Sequence, residues 1–263
     1  MYKIVFCDID GTLLDSKHRV RPDTAKRLRR LEAEGVPFVL VSARMPQGVE
    51  LVRRAYGGVS PMICYSGSLV LDGQGQALFG QGMDREEALR ACAFASSFSG
   101  ISASLYAARR WLARDGEDPW IRQEAAITDT RPELGELAAL LEGEPCVHKL
   151  LCMGPPEQIS RLEGALTELF AGLCAYRSKD SYLEVTDARA RKSAAALWLC
   201  RSLGMGLQDA VAFGDNFNDV DLLRAVGLGV AMGNAPQDVR HQADLVAPSN
   251  DEEGVLRCLE RLF

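Results

Sequence analysis

The sequence lacks long apolar segments. No apolar stretch reaches the ~20 residues that a membrane-spanning helix needs. The N-terminus runs directly into MYKIVFCDID, without the basic and then apolar segment of a secretory leader. We therefore expect a soluble, cytoplasmic protein that has no membrane partner.

Cysteine clusters are also absent. The eight cysteines are scattered, most of them inside apolar segments, and none belongs to a CxxC pair. This spacing supports neither a zinc knuckle nor a dithiol redox motif, and it favours reduced cysteines that serve as small core residues. The three histidines, His18, His148 and His241, are isolated and carry no predicted role.

Basic blocks are missing as well, and the net charge of the 263-residue chain is −6. Nucleic acid is therefore not an expected partner. An acidic chain can still bind an anionic substrate if a local site, for example one with a bound cation, supplies the attraction. With 47% hydrophobic and 25% charged residues, the chain has the composition of one large globular domain or two modest ones.

Short apolar segments alternate with helical patterns at both ends of the chain. These segments are residues 2–7, 37–43, 61–67, 209–215, 227–233 and 243–249. They are continuously apolar, which is typical of strands that are buried on both faces of a parallel sheet. Helical patterns lie between them, as at 21–35 and 192–204. The alternation predicts one doubly wound α/β domain that is interrupted by an insertion.

The middle of the chain predicts a different architecture. Helical patterns at 84–98, 133–142 and 156–170 alternate with strand candidates at 102–107, 110–114, 147–152, 173–178 and 182–186. GEDP, at 116–119, is typical of a turn. We therefore predict an α+β module with its own sheet at 84–187, inserted into an α/β domain made of 1–83 and 188–263.

Polar side chains follow several of the predicted core strands. Asp8 and Asp10 come after the first strand, Ser42 ends the second, and Asp215 and Asp219 follow AVAFG. In open α/β sheets the site lies beyond the carboxyl ends of the strands. Carboxylates this close disfavour joint ionisation unless a cation, a shared proton or solvent compensates. A carboxylate that attacks a phosphate needs an electropositive partner, and Mg²⁺ would serve.

Four ordered motifs resemble those of the haloacid dehalogenase-like hydrolase superfamily, and the resemblance spans the whole chain. The motifs are DxDGT at Asp8-Ile9-Asp10-Gly11-Thr12, a strand-terminal Ser42 in VSAR, Lys192, and GDNFND with Asp215, Asn218 and Asp219. AMGNA at 231–235 and SNDEEGV at 249–255 follow. With the insertion between the second and third motifs, the sequence resembles the Cof-type branch. The resemblance implies a Rossmann-like core with an inserted α/β cap domain.

The resemblance implies a covalent mechanism. Asp8 would attack phosphorus and form an aspartyl-phosphate. Asp10 would protonate the leaving oxygen and then deprotonate the water that cleaves the intermediate. Mg²⁺ would be bound by the Asp8 carboxylate, the Asp10 backbone carbonyl and the Asp215 carboxylate.

Supporting roles are implied for other motif residues. Ser42 and Lys192 would hold the transferring phosphoryl group. Asp219 would support the water shell of the metal or orient Lys192, and Asn218 and Asn234 would add polar contacts at the rim.

Simpler interpretations stay open for some of these residues. Ser42 could cap the following helix, and Asp219 could be a first-turn acid favoured by the helix dipole. Arg189 and Arg191 lie close to Lys192, although the flanking residues favour Lys192 as the motif lysine.

Two departures from the family pattern lie near the motifs, one in a tripeptide and one at a single residue. Ser66-Gly67-Ser68 stands where many relatives have Asn-Gly-Ala, and Ser193 stands where many have a glycine. Neither removes a catalytic group, but both alter the rim where the leaving group would lie.

The cap implied by the resemblance would choose the leaving group. Candidate contacts are Tyr106, Arg109, Trp111, Lys179, Tyr182 and Glu184. Each is also compatible with a place on the surface or in the core of the cap, and the Arg109-Arg110 pair with a solvated surface.

We therefore expect a hydrolase, namely a Mg²⁺-dependent phosphatase that acts on a small phosphorylated metabolite such as a sugar phosphate or a phosphorylated cofactor. A phosphomutase that acts on a sugar phosphate is the first alternative. A non-catalytic metabolite-binding or regulatory protein is the second. A monomer or a small homo-oligomer is expected.

Overall fold

The computed structural model describes residues 2–263. Its strands are β1 Ile4–Cys7, β2 Phe38–Val41, β3 Met62–Cys64, β4 Leu69–Leu71, β5 Ala77–Gly80, β6 Ser102–Ala107, β7 Arg110–Ala113, β8 Glu133–Leu134, β9 Lys149–Met153, β10 Leu173–Lys179, β11 Tyr182–Asp187, β12 Ala210–Gly214, β13 Leu228–Ala231 and β14 Leu245–Val246. Its α-helices are α1 Pro22–Ala33, α2 Pro46–Tyr56, α3 Arg85–Ser96, α4 Pro119–Thr128, α5 Leu137–Leu140, α6 Pro156–Leu169, α7 Lys192–Ser202, α8 Val220–Ala225, α9 Gln237–Arg240 and α10 Gly254–Leu262.

The chain forms two compact units. The first contains the residues up to Phe79 together with Arg191–Phe263, and the second is Gly80–Ala190. None of the helices within residues 2–263 is both long and apolar enough to cross a membrane.

The first unit is built on a sheet in which the strand order is β14-β13-β12-β1-β2-β3-β4-β5. The pairs from β14 to β3 are parallel, and β4 runs antiparallel to β3. The order runs outward from β1 in both directions, so the crevice at the topological switch point opens at the carboxyl ends of β1, β2 and β12. The predicted α/β class with a parallel-sheet core is confirmed.

The second unit has a sheet of its own, in the order β10-β11-β9-β6-β7-β8. Its pairs are antiparallel except for β7 with β8. Apolar side chains of alternate strand residues, among them Leu105, Leu150 and Leu183, form a core with residues of α3 and α6. Because side chains alternate along a strand, the residues between them lie on the opposite face of this sheet.

Two elements of the second unit differ from the sequence prediction. The helix predicted over 133–142 is wrong, because β8 pairs with β7 and only the single helical turn of α5 follows. Helix α4, which no sequence pattern predicted, begins at Pro119, the last residue of the predicted GEDP turn. Asp118 caps this helix by accepting hydrogen bonds from the amides of Trp120 and Ile121, and Pro119 takes its first position.

The eight cysteines all lie within residues 2–263, and none of them forms a disulfide bond. Six are buried, Cys146 is half-buried and Cys174 is exposed. Their predicted use as small core residues therefore fits most of them.

Candidate active site

Asp8 lies at the carboxyl end of the central strand of the first unit. Strand β1 is fully buried between β2 and β12, and the Asp8 amide extends the ladder by donating to the Phe213 carbonyl at 3.0 Å. Only 8% of Asp8 is exposed. The buried strand therefore delivers a carboxylate into the crevice with little freedom to move.

The turn after Asp8 brings this segment against Asp215. Gly11 has a φ of +75°, and a Cβ at this position would overlap the Asp215 carboxylate. Only glycine combines this backbone conformation with so close an approach. The Thr12 hydroxyl then donates to Asp215 Oδ1 at 2.8 Å.

Lys192 joins two of the predicted site residues. Its Nζ lies 2.5 Å from Asp8 Oδ1 and 2.6 Å from Asp219 Oδ1, and 1% of its side chain is exposed. The other oxygen of Asp219, Oδ2, accepts hydrogen bonds from the amides of Asp215 and Asn216, both at 3.0 Å. Asp219 therefore holds Lys192 in place and also fixes the backbone that carries Asp215.

The charges of this cluster are strongly coupled. Burial alone would lower the pKa of Lys192, but Asp219 and Asp8 outweigh that effect and hold this pKa above its usual range. Burial raises the pKa of Asp8 although the Lys192 ammonium opposes it. Burial also raises the pKa of Asp215 to about 6, with the Thr12 hydrogen bond opposing and the Asp219 charge adding to the shift. One ammonium is thus not enough to offset three buried or half-buried carboxyl groups.

The carboxylates of Asp8, Asp215 and Asp219 could hold a metal ion, since one oxygen atom from each lies within 4.8 Å of the others. Both Asp219 oxygens are already hydrogen-bonded. Asp8 and Asp215 each use only Oδ1, so that the second oxygen of each has no hydrogen bond to any described residue. Oxygen donors with surplus negative charge fit a hard divalent cation.

The Asp10 side chain is exposed and does not join the carboxylates that contact Lys192. It is 48% exposed and is bound on both oxygens by the Arg44 guanidinium, at 2.8 Å from Nε and 2.5 Å from Nη2. The exposed His18 imidazole lies 3.9 Å from the same carboxylate. Arg44 belongs to the VSAR segment that supplied Ser42, but the sequence did not indicate its pairing with Asp10.

Ser42 is buried at the end of β2, and its hydroxyl accepts a hydrogen bond from the Arg44 amide at 3.2 Å. The alternative that Ser42 caps the next helix is wrong. Helix α2 begins at Pro46, its cap position is Met45, and no side chain caps it.

The two motif asparagines differ in their contacts. Asn234 Nδ2 donates to the Gly11 carbonyl at 2.8 Å, whereas the Asn218 side chain makes no hydrogen bond within residues 2–263. Asn250 lies in the SNDEEGV segment, but the sequence assigned it no role; its backbone N–H donates to Asn234 Oδ1 at 3.1 Å.

The serine-rich departure from the family pattern retains its central glycine. Gly67 has a φ of +108°, and a Cβ there would overlap the carbonyl of Arg191. This turn therefore packs directly on the start of α7, which carries Lys192. At the other departure, the Ser193 amide donates to Asp221 Oδ2 at 3.1 Å.

The second unit gathers aromatic and charged side chains on the face of its sheet that lies opposite its apolar core. The Tyr106 and Trp111 rings stack at 5.8 Å, and Lys149 Nζ lies 4.8 Å from the Tyr106 ring centre. Lys149 also pairs with Glu184 at 3.3 Å. We call these four residues the polar face; the sequence indicated three of them and missed Lys149.

Other candidates of the second unit pair locally. Lys179 Nζ lies 4.7 Å from the centre of the Tyr182 ring, whose hydroxyl accepts a hydrogen bond from Gln123 at 3.1 Å. Arg110 forms ion pairs with Glu133 and Glu144, which are contacts within the second unit.

Comparisons with known proteins agree with the motifs. A family model described as haloacid dehalogenase-like hydrolase matches residues 5–259. A Haemophilus influenzae protein named "Putative phosphatase" is 34% identical over 263 residues, which cover 100% of this chain and 99% of the relative. Pyridoxal phosphate phosphatase YbhA of Escherichia coli is 24% identical over 266 residues, which cover 98% of this chain and 97% of the relative. The crystal structure of a haloacid dehalogenase-like hydrolase from Bacteroides thetaiotaomicron matches with a TM-score of 0.89 at 25% identity, covering 100% of both chains.

Proposed function

The chain belongs to the Cof-type branch of the haloacid dehalogenase-like hydrolases, and from that membership we propose that it hydrolyses a small phosphorylated metabolite, with Mg²⁺, through an aspartyl-phosphate on Asp8. The match to this hydrolase family and the similarity to proteins named phosphatases identify the chain as a phosphoric monoester hydrolase. The observation that supports the proposed mechanism is the buried contact of Asp8 with Lys192 beside Asp215.

Asp8 is the proposed nucleophile. One of its oxygens attacks phosphorus while the bond from phosphorus to the leaving oxygen breaks, and Asp10 gives that oxygen a proton. In the second step Asp10 takes a proton from water, the water oxygen attacks phosphorus, and the bond to Asp8 breaks. Inorganic phosphate leaves and both carboxyl groups return to their first state.

Other residues prepare this chemistry. Lys192 and Ser42 bind phosphoryl oxygens, and Asp219 orients Lys192 through the contact described above. The Asp8 and Asp215 carboxylates and the Asp10 carbonyl would hold Mg²⁺, which would supply positive charge to offset the carboxylates and the phosphate. The surplus of negative charge around Lys192 supports this need for a cation.

The second unit is proposed to act as a cap that selects the leaving group through its polar face. Aromatic rings beside an ammonium and a carboxylate suit a sugar or a cofactor that has both flat and polar parts. The name of the Escherichia coli relative supports the cofactor alternative.

The experiment that tests the proposed function measures inorganic phosphate released from a panel of phosphorylated metabolites and aryl phosphates with Mg²⁺. Release from one metabolite class supports the phosphatase. Phosphate that moves to another position of the same sugar indicates a mutase instead. If no phosphomonoester is cleaved, the proposed activity is wrong and a binding role gains support.

Asp10→Asn is expected to slow turnover more for substrates with a poor leaving group than for substrates with a good one. An alkyl phosphate needs a proton from Asp10, so its rate should fall about 10²- to 10⁴-fold, the usual contribution of general acid–base catalysis. The p-nitrophenolate that leaves p-nitrophenyl phosphate needs little protonation. The rate of its release, measured in a pre-steady-state burst, should therefore fall less. Equal alkyl phosphate rates for the variant and the parent protein would remove this role from Asp10.

Arg44→Gln is expected to lower kcat/KM about tenfold, because a coupling energy of about 1.4 kcal/mol is typical of paired side chains. Arg44→Lys should not restore the rate, since an ammonium cannot bind both Asp10 oxygens as the guanidinium does. In an Asp10→Asn background, Arg44→Gln should change the rate little. Full additivity of the two losses in this double-mutant cycle would show that Arg44 does not act through Asp10.

A further inference from the structure

Two asparagines hold the turn that carries Asp10. Asn234 Nδ2 donates to the Gly11 carbonyl at 2.8 Å, and Asn250 Nδ2 donates to the Leu14 carbonyl at 2.8 Å. The backbone N–H of Asn250 also donates to Asn234 Oδ1 at 3.1 Å. We call Asn234 and Asn250 the asparagine clasp. It joins segments that are more than 200 positions apart in the chain.

The turn has little regular structure to hold itself. Asp10 and Gly11 have non-helical backbone angles, and the Leu14 amide donates to the Ile9 carbonyl across the turn. Thr12 fixes one side of it through Asp215. The clasp binds two carbonyls on the same turn, so that the backbone on the C-terminal side of Asp10 is held by side chains from elsewhere.

The chemistry of the asparagine side chain suits this task. The side-chain oxygen of Asn234 accepts from the backbone N–H of Asn250, while its side-chain nitrogen donates to the Gly11 carbonyl. A carboxylate could accept but could not donate, and it would place an oxygen against the Gly11 carbonyl. An alanine would leave that carbonyl without its partner.

We propose that Asn234 and Asn250 are positioning residues that set the place of Asp10 in the reaction. The inference rests on the proposed function, in which Asp10 must reach first the leaving oxygen and then water. A misplacement of about 1 Å can cost about 10²-fold in rate, so a clasp on the adjoining peptide is enough to matter. The Asp10 side chain itself is 48% exposed and is not fixed by burial.

A neighbouring residue provides the matched control. Asp251 follows Asn250 in the same turn, and its Oδ1 accepts from the Ser16 amide at 2.8 Å. Asp251→Ala therefore also removes a side-chain link to the first segment of the chain, but at a point beyond the turn that carries Asp10.

The test compares Asn234→Ala, Asn250→Ala and Asp251→Ala on an alkyl phosphate and on p-nitrophenyl phosphate. For the two clasp variants we expect the alkyl phosphate rate to fall about tenfold or more and the aryl phosphate rate to fall less than about threefold. Asp251→Ala should change neither rate. In hydrogen–deuterium exchange, amides of residues 9–14 should exchange faster in the clasp variants alone.

Three results would overturn the inference. One is an unchanged alkyl-to-aryl rate ratio in both clasp variants. Another is faster exchange throughout the first unit, which would indicate general destabilisation. The third is the same response in Asp251→Ala. If the parent protein cleaves no phosphomonoester, the proposed function fails separately, and the exchange of residues 9–14 alone decides whether the clasp holds the turn.

Discussion

Asp8→Asn is expected to abolish turnover while the fold survives. The asparagine keeps the shape of the side chain but has no carboxylate that can form a bond to phosphorus. Lys192 retains Asp219 as its partner, so no buried charge is left alone. The rate should fall by at least about 10⁴-fold, the scale of loss when a covalent nucleophile is removed. Steady-state assays with p-nitrophenyl phosphate and thermal unfolding measure the two effects.

The matched control is Asp15→Asn, which changes another buried aspartate of the same segment. Asp15 is 5% exposed, and its Oδ1 accepts from the amides of Lys17 and Arg19 at 3.0 Å. Asparagine retains this Oδ1 acceptor but removes the charge at Oδ2, which lies 3.3 Å from Arg19 Nη2, so the control should lose some stability and keep its turnover rate. Similar rates in the two variants would contradict the assignment of Asp8.

Lys192→Met is expected to lower the free energy of unfolding by about 3–5 kcal/mol, the usual cost of removing one partner from a buried ion pair. The substitution leaves Asp8 and Asp219 buried without the ammonium that both contact at about 2.5 Å. Urea unfolding in EDTA measures the loss without any contribution from a metal ion. Turnover should be lost as well, because the phosphoryl group loses a cationic partner.

The destabilisation by Lys192→Met should depend on pH in a defined direction. Burial already raises the pKa of Asp8 against the opposing Lys192 ammonium, and without that ammonium the folded protein should bind a proton on Asp8 still more readily than the unfolded chain does. Stability of the variant should therefore fall as the pH rises from about 4 toward 7, and recover on acidification relative to the parent protein.

A second substitution separates charge from packing. Adding Asp219→Asn to Lys192→Met removes one of the two stranded carboxylates and should restore part of the stability, while turnover stays lost. A loss of stability that depends on neither pH nor Asp219→Asn would show that packing, and not charge, explains the effect of Lys192→Met.

Residues at the ends of strands were the ones that the sequence predicted best. Asp8 and Asp215 are far apart in the chain, but both follow buried strands, and the carboxyl ends of neighbouring parallel strands meet at one edge. Lys192 was indicated by the family motif and by its place at the start of a helical pattern. The structure brings these three residues together with Asp219. Their roles in the reaction stay predictions.

The side-chain partners of Arg44 and Asn250 were not predictable in the same way, although both residues lie in segments that match the family motifs. The contact of Arg44 with Asp10 and that of Asn250 with Leu14 depend on where two loops meet, and no periodic pattern of residues encodes that. Local signals also conflicted, since Asp118-Pro119 suits a turn as well as the start of a helix. At 133–142 the helical pattern gave way to pairing of β8 with β7, and Gly135, with a φ of +158°, lies between β8 and α5.

The central claim is that the phosphoryl group passes through Asp8, and the stereochemical course at phosphorus tests it most directly. An aryl phosphate made chiral with oxygen isotopes would be cleaved by the unmodified protein with Mg²⁺, with an acceptor alcohol taking the phosphoryl group. Two in-line displacements, first by Asp8 and then by the acceptor, predict net retention of configuration. Net inversion would indicate direct attack by the acceptor and would contradict the aspartyl-phosphate.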